Sequence, residues 1–218
     1  MTSFLSLQNI SFAYPSSEPL FSRLNLNLYR EGKIFIRGRN GAGKTTLFSL
    51  IMGLLKPTEG SILLEGNPIK TKKDIRHLRR KVGLLFQDPD DQLFCPTLLD
   101  DILFGPLNLG MEKEEAMDSA MKAMKVLNIV SLASYPPYAL SGGQKRLGAL
   151  AALLSMKPEL LLLDEPSNGL DEEAWENLVS VLQKLSIALV IASHDIPFLE
   201  QVTHKGYEMK KGYLLSLN

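Results

Sequence analysis

The first thirty residues alternate between apolar and polar side chains, and later stretches of the chain do not. Residues 3–12 and 20–29 alternate, which predicts two strands that each keep one face in water, the second suited to an antiparallel sheet. Further strands are predicted from short apolar runs without alternation, at residues 33–37, 62–64, 82–86, 160–163 and 187–192.

Apolar residues at helical spacing follow several of these strands. They predict a helix after residue 43 and further helices at 112–128, 143–156 and 172–185. Strands that alternate with helices and are apolar throughout predict an α/β fold with a mostly parallel sheet. Residues 88–158 are mostly helical in pattern, which predicts an inserted α-helical subdomain.

Composition and charge narrow the class of protein. The 218 residues suffice for one α/β domain, and 24 basic against 24 acidic side chains give a net charge of +0, which argues against a nucleic-acid binder. The single cysteine, Cys95, rules out an intrachain disulfide and is expected in a reducing compartment.

The same sequence predicts no segment for the membrane. The start, MTSFLSLQNI, does not fit a signal peptide, and no apolar run reaches the ~18–20 residues of a transmembrane helix. If the protein works at a membrane, we expect other chains to supply the spanning helices.

A glycine-rich loop between a predicted strand and a predicted helix fits G-x-x-x-x-G-K-[ST]. Its residues, with the threonine that follows, are candidate ATP ligands: Gly38, Arg39, Asn40, Gly41, Ala42, Gly43, Lys44, Thr45 and Thr46. The glycines leave backbone N–H groups free for phosphate oxygens, Lys44 can reach the β and γ phosphates, and the Thr45 hydroxyl can bind Mg²⁺. The alternative is a glycine-rich turn with an incidental lysine.

Two acids follow the apolar run at 160–163. A carboxylate at the carboxyl end of a buried parallel strand lies where open α/β sheets bind ligands. We therefore expect Asp164 to hold Mg²⁺ opposite Thr45, and Glu165 to act as general base toward an attacking water. The competing interpretation is that both acids only cap the next helix.

The segment Leu140-Ser141-Gly142-Gly143-Gln144 precedes a helix and predicts a second anion site, because a helix start offers bare N–H groups. This segment resembles the signature of ATP-binding-cassette (ABC) proteins. The resemblance implies that residues Ser141 to Gln144 close over the ATP of another protomer.

That resemblance covers nearly the whole chain in the family's order. It implies one ABC ATPase domain over residues 1–218. Residues 1–87 and 159–218 would form the P-loop NTPase core with an N-terminal antiparallel β subdomain, and residues 88–158 would form the helical subdomain. It also implies roles for further residues: adenine stacking by Tyr14, Mg²⁺ and partner sensing by Gln87, dimer contacts by residues 167–171, and a switch by His194. Taken singly, Tyr14 fits a turn aromatic, Gln87 a strand-end polar residue and His194 a surface histidine.

Residues 86–94, 96–97 and 104–110 resemble more narrowly the ATPases of energy-coupling factor (ECF) transporters. This implies the motor of an importer for a vitamin or a transition metal ion, bound to transmembrane coupling and solute-binding subunits at the cytoplasmic face of the membrane. Because only residues 195–218 follow His194, we expect no extended C-terminal dimerisation region, which favours cobalt, nickel or biotin systems with a homodimeric ATPase. A soluble ABC ATPase and a small-molecule kinase are the alternatives, and the second leaves residues 141–144 unexplained.

Acids are dense between Gln87 and Gly110, and no basic residue occurs in this stretch. Asp100 and Asp101 fit caps of a helix that begins near Leu98. Asp90 and Asp91 flank Gln92-Leu93-Phe94, and an acidic rim beside apolar residues predicts a docking surface for a basic helix of a membrane partner.

Overall fold

The alternating strands at the start of the chain form an antiparallel sheet. The computed structural model describes residues 3–217, and its four-stranded sheet has the order β2-β1-β4-β5. Its strands are β1 (Leu5–Phe12), β2 (Phe21–Leu28), β4 (Glu59–Leu64) and β5 (Asn67–Pro68). In β2 the apolar Leu24, Leu26 and Leu28 are buried and the residues between them are not, so the antiparallel prediction is confirmed.

The apolar runs without alternation form a second sheet of six strands. Its order is β10-β9-β3-β8-β7-β6, and β3 pairs in parallel with β8 and β9, as β7 does with β8. The strands are β3 (Lys33–Arg37), β6 (Val82–Leu85), β7 (Leu160–Asp164), β8 (Ala188–Ala192), β9 (Gly206–Lys210) and β10 (Tyr213–Leu217). Every residue of β7 and β8 is buried, which explains why neither strand alternates.

Seven α-helices occur within residues 3–217. They are α1 (Lys44–Ile51), α2 (Lys72–Lys81), α3 (Leu98–Asn108), α4 (Lys113–Val126), α5 (Gly142–Ser155), α6 (Glu172–Lys184) and α7 (Ile196–Val202). None of these helices is both long and apolar enough to cross a bilayer. The predicted α/β fold class, a P-loop NTPase core with an antiparallel β subdomain and an inserted helical subdomain, is confirmed.

Contacts divide the described chain into two compact units. The sheet unit comprises residues 3–84, 159–164 and 186–217, and the helical unit comprises residues 85–158 and 165–185. The helical unit therefore contains residues 165–185 in addition to the stretch 88–158. The assignment of residues 1–87, 88–158 and 159–218 to functional subdomains stays a prediction.

Close packing of α3 on α5 organises the helical unit. A Cβ at Gly148 would lie 2.5 Å from the buried Leu98 side chain, so a larger residue there would force Leu98 to shift. Ser155, fully buried on α5, donates to the Ile102 carbonyl at 2.9 Å, and Ser119 of α4 donates to the Ser155 carbonyl at 2.8 Å. These bonds satisfy buried polar groups and fix the three helices together.

The acids near the start of α3 have different partners from those expected. The helix begins at Leu98 with Thr97 as its N-cap, and the Thr97 hydroxyl donates to Asp100 at 2.6 Å. Asp101 is buried, and one of its carboxylate oxygens accepts from the N–H groups of Phe94 and Cys95, each at 2.9 Å. Both acids are thus structural, but Asp101 anchors the preceding loop and does not cap the helix.

Candidate active site

The phosphate loop, residues 38–45, runs from the end of β3 into α1. Gly43 has φ 106°, and a Cβ there would lie 2.8 Å from the Phe21 ring, so only glycine fits. No side chain caps the helix at Gly43. A helix start of this kind favours an anion through its N–H groups and its dipole.

Two side chains of this loop are held at its base. Lys44 is buried, and its Nζ donates to the Gly38 carbonyl at 2.9 Å, which bends the ammonium back over the loop. The Thr45 hydroxyl donates to Asp164 Oδ2 at 2.5 Å. Asp164 is 2% exposed and ends β7. A hydroxyl and a carboxylate are hard oxygen donors of the kind that Mg²⁺ takes beside substrate phosphates, so the pair fits that ion.

The carboxyl ends of three neighbouring parallel strands carry the candidate residues of the sheet unit. Ile36, the second-last residue of β3, and Asp164 at the end of β7 both pair with Ala192, the last residue of β8. The phosphate loop follows β3, and Ser193-His194 follows β8. This edge is where open α/β sheets bind ligands. The predicted residues Thr45, Asp164 and His194 thus share one edge of the sheet.

Tyr14 belongs to the same unit and contacts the start of α1. Its hydroxyl lies 3.0 Å from Thr46 Oγ1, and its ring meets Phe12 edge to face at 5.0 Å between centroids. Tyr14 is 44% exposed. The ring is therefore fixed next to the phosphate loop while part of it stays available to a ligand, as adenine stacking would require.

The signature segment, residues 140–144, lies in the helical unit at the start of α5. Ser141 is the N-cap: its hydroxyl accepts from Gln144 N–H at 3.2 Å, and the Gln144 side chain accepts from Ser141 N–H at 2.9 Å. Ser141 and Gly142 are exposed, and a Cβ at Gly142 would meet nothing within 4 Å. At Gly143, by contrast, a Cβ would lie 2.9 Å from the Gly169 carbonyl oxygen.

Glu165 begins the turn that leads to the predicted dimer-contact loop, residues 167–171. It has φ 48°, a left-handed conformation that costs a non-glycine residue free energy and that is common at functional sites. It is buried, and its carbonyl accepts from Asn168 N–H at 3.2 Å. A strained, buried carboxylate after a central strand is consistent with the predicted general base.

Gln87 and its neighbours also lie in the helical unit. Gln87 is exposed, and the next turn is closed by Gln92, whose side chain accepts from Phe86 N–H at 2.9 Å. Asp90 has a basic partner from outside this stretch, because Lys145 Nζ lies 2.6 Å from Asp90 Oδ1. Lys145 follows the signature segment, so no inspection of residues 86–111 alone could have found this pair.

One buried side chain escaped the sequence analysis. Arg146 donates from Nη2 to the Gln87 carbonyl at 2.6 Å and from Nη1 to the Asn168 carbonyl. Its position predicts burial, since it falls on the same helical face as Gly143 and Leu150. The sequence signal that could have revealed its burial is a basic residue on the apolar face of α5.

Comparison with known proteins identifies this arrangement. A family model described as ABC transporter matches residues 21–168. The energy-coupling factor transporter ATP-binding protein EcfA of Methanocaldococcus jannaschii is 39% identical, over 95% of this chain and 76% of its own length. The structure of CbiO1 from Clostridium perfringens, part of the transporter complex CbiONQ, superposes with a TM-score of 0.87 at 34% identity, covering 99% of this chain and 88% of that one. A dimeric ATP-binding cassette in a post-hydrolysis state, bound to ADP and Pi, superposes with a TM-score of 0.86 at 27% identity, covering 96% of each chain.

Proposed function

Because the chain belongs to the ABC transporter family and is one of its ATP-binding, ATP-hydrolysing domains, we propose that it is the motor of an ECF-type importer. The similarity to EcfA and to CbiO1 supports this narrower assignment. A cobalt or nickel ion, or a vitamin such as biotin, is the proposed class of solute. The proposed location is the cytoplasmic face of the membrane, bound to transmembrane coupling and solute-binding subunits.

Two helix starts that suit a phosphate group support the proposal. One follows the phosphate loop in the sheet unit, and the other is the exposed start of α5 at Ser141. One ATPase site needs a single cradle, so the second is explained if it serves the ATP of another copy. We infer a homodimer with a two-fold axis and two composite sites. The dimeric cassette of similar fold supports this inference.

The residues of this chain have the following proposed roles in hydrolysis. Lys44 neutralises the β and γ phosphates. Thr45 and Asp164, with Gln87 as the resemblance to ABC proteins implies, would hold Mg²⁺, which would offset charge on the phosphate oxygens. Glu165 accepts the proton of the attacking water as its oxygen bonds to the γ phosphorus, and the bond from that phosphorus to ADP breaks. His194 contacts the γ phosphate as the switch residue.

The proposed docking surface for the membrane partner is revised by the ion pair of Asp90. Lys145 neutralises Asp90, so Asp91 is the better candidate for a basic partner residue. Phe94 is 67% exposed and Phe104 is 49% exposed, and their rings meet edge to face at 4.9 Å. An exposed aromatic pair in the same unit as an acid fits a basic, amphipathic helix.

Affinity purification tests this function. Tagged chain purified from detergent-solubilised membranes should retain a transmembrane protein with several spans, and ATP hydrolysis by that complex should drive uptake in vesicles. The Asp91→Ala variant should weaken assembly, with Asp118→Ala, an exposed acid of α4, as control. A chain that purifies alone and hydrolyses ATP at full rate without a membrane protein would favour the soluble ABC ATPase.

A further inference from the structure

Two consecutive basic residues of α5 hold the segment after β6. Arg146 donates to the carbonyl groups of Gln87 and Asn168, and Lys145 pairs with Asp90. All these groups belong to the helical unit. The helix that starts with the signature segment is therefore bonded both to residues 87–90 and to the dimer-contact loop.

Burial of the Arg146 guanidinium costs desolvation free energy. It is 6% exposed, and within residues 3–217 its Nε has no hydrogen-bond partner. Desolvation lowers the pKa of the guanidinium, although the nearby Asp88 and Glu165 carboxylates favour its charged form. A buried cation with one unused donor is a poor way to stabilise a fold, because an apolar side chain of similar size avoids the desolvation cost.

The hydrogen bonds of Arg146 continue to the predicted general base. Asn168, whose carbonyl accepts from Arg146, donates its own N–H to the Glu165 carbonyl at 3.2 Å. The Gly169 carbonyl lies against Gly143 so closely that a Cβ there would be 2.9 Å away. The start of α5, the turn at Glu165 and Gln87 are thus joined by hydrogen bonds and by close backbone packing.

We propose that Arg146 is a positioning residue for ATP hydrolysis, which fixes the signature segment, residues 87–90 and the turn from Glu165 to Asn168 to one another as a single body. The inference rests on the proposed function, since it assigns these segments to one reaction. A partner that displaces residues 87–90 would then move Ser141 and the Glu165 turn together. Arginine suits this role because its planar fork reaches two carbonyl groups at once, which the single ammonium of lysine cannot do with the same geometry.

The test uses the whole chain and three variants. Arg146→Met removes both bonds and keeps much of the volume, and Arg146→Lys keeps the charge without the fork. Arg79→Met is the matched control, because Arg79 also donates to a backbone carbonyl, that of Met52 at 3.1 Å, but in the sheet unit. For each we would measure kcat, KM, ATP affinity in the absence of turnover and the midpoint of thermal unfolding.

We expect Arg146→Met to lower kcat by about 10- to 100-fold, the effect of a small misplacement of reacting groups. Affinity for ATP should change by less than about threefold, because the phosphate loop is in the other unit. The substitution should therefore affect the transition state and not the binding of ATP in the ground state. Arg146→Lys should recover part of kcat, and Arg79→Met should keep the wild-type value. If Arg146→Met fails to fold, Arg146→Lys tests the inference instead. We then expect Arg146→Lys to have a lower kcat than wild type and an unchanged unfolding midpoint.

Several outcomes would overturn the inference. Wild-type kcat in Arg146→Met, or in a folded Arg146→Lys when Arg146→Met does not fold, would show that the side chain only fills space. An equal loss of kcat in Arg79→Met would show that the effect follows stability. These results leave the proposed function intact if the wild-type chain hydrolyses ATP and Glu165→Gln does not. A wild-type chain that shows no ATPase activity either alone or in complex with a membrane partner would overturn both.

Discussion

The Thr45 hydroxyl and the Asp164 carboxylate meet at 2.5 Å, although 119 residues separate them in the chain. Their contact joins the phosphate loop to the end of β7. Asp164→Asn should therefore lower the affinity of the site for Mg²⁺, because a neutral amide attracts the ion less than a carboxylate does. We expect at least a roughly tenfold rise in the Mg²⁺ concentration that half-saturates tight ATP binding, a large effect for one lost charge.

Fluorescence of a bound ATP analogue, titrated with Mg²⁺, measures this change without relying on turnover. Asp195→Asn is a suitable control because this acid follows the neighbouring strand and caps α7. Unchanged Mg²⁺ dependence in Asp164→Asn would remove this residue from the metal site.

Two substitutions of Tyr14 should separate the contribution of its ring to ATP affinity from that of its hydroxyl. Stacking of a base on an aromatic ring contributes about 1–3 kcal/mol, so Tyr14→Ala should weaken ATP binding by roughly 5- to 150-fold. Tyr14→Phe keeps the ring and loses only the bond to Thr46, so its affinity should stay within about threefold of wild type. Calorimetry with ATP and with inorganic triphosphate decides between the two roles, since only ATP binding should respond to loss of the ring.

Glu165→Gln should bind ATP normally and hydrolyse it about 10²- to 10⁴-fold more slowly, the usual cost of a lost general base. Glu172→Gln is the control, since it changes an exposed acid in the first turn of α6. A steady-state phosphate-release assay measures both variants. Near-wild-type turnover in Glu165→Gln would assign the base to another group.

Most elements of the fold follow from apolar periodicity, and the exceptions have physical reasons. The predicted strands at 33–37 and 160–163 match β3 and β7 within one residue. Helix α2 was not predicted, because its sequence KKDIRHLRRK has only two apolar residues and no apolar stripe. Its signal was the capping box of Thr71 and Asp74. The β9–β10 hairpin was also missed, although its turn residues Lys211 and Gly212 both adopt positive φ, as a two-residue hairpin turn favours.

The candidate site was harder to predict in its tertiary pairings. The phosphate loop and the acids Asp164 and Glu165 at the end of β7 could be predicted because their chemistry is tied to local motifs. The contacts of Lys145 with Asp90 and of Arg146 with Gln87 span more than fifty residues. Such pairs depend on how α5 packs, which no local pattern reports.

A charge network in the sheet unit should make stability sensitive to acid. Burial raises the pKa of Glu159 by desolvation, but hydrogen bonds from Lys81 and Arg30 outweigh this and hold the pKa below its ordinary value of 4.5. Lys81 Nζ lies 3.0 Å from the Glu159 carboxylate. A depressed folded-state pKa means that the ionised carboxylate stabilises the fold at neutral pH, and that this stability is lost as pH falls through the folded-state pKa.

Glu159→Gln should accordingly lower the unfolding midpoint at pH 7, and the difference should disappear as the pH falls from neutral to well below the ordinary pKa of 4.5. Thermal unfolding of wild type, Glu159→Gln and the exposed control Glu18→Gln across this range measures the effect. A difference between wild type and Glu159→Gln that persists unchanged at the lowest pH would mean that charge at Glu159 is not its cause.

The most direct test of the whole account is the mass of the Glu165→Gln chain by light scattering, with and without Mg-ATP. Composite sites require that ATP on the phosphate loop of one chain be covered by Ser141 of another. The account predicts a monomer without nucleotide, a dimer with Mg-ATP, and no dimer when Ser141→Arg is added, although the phosphate loop of that double variant still binds ATP. A chain that stays monomeric with saturating Mg-ATP, or that is equally dimeric without it, would contradict the ATP-driven composite site.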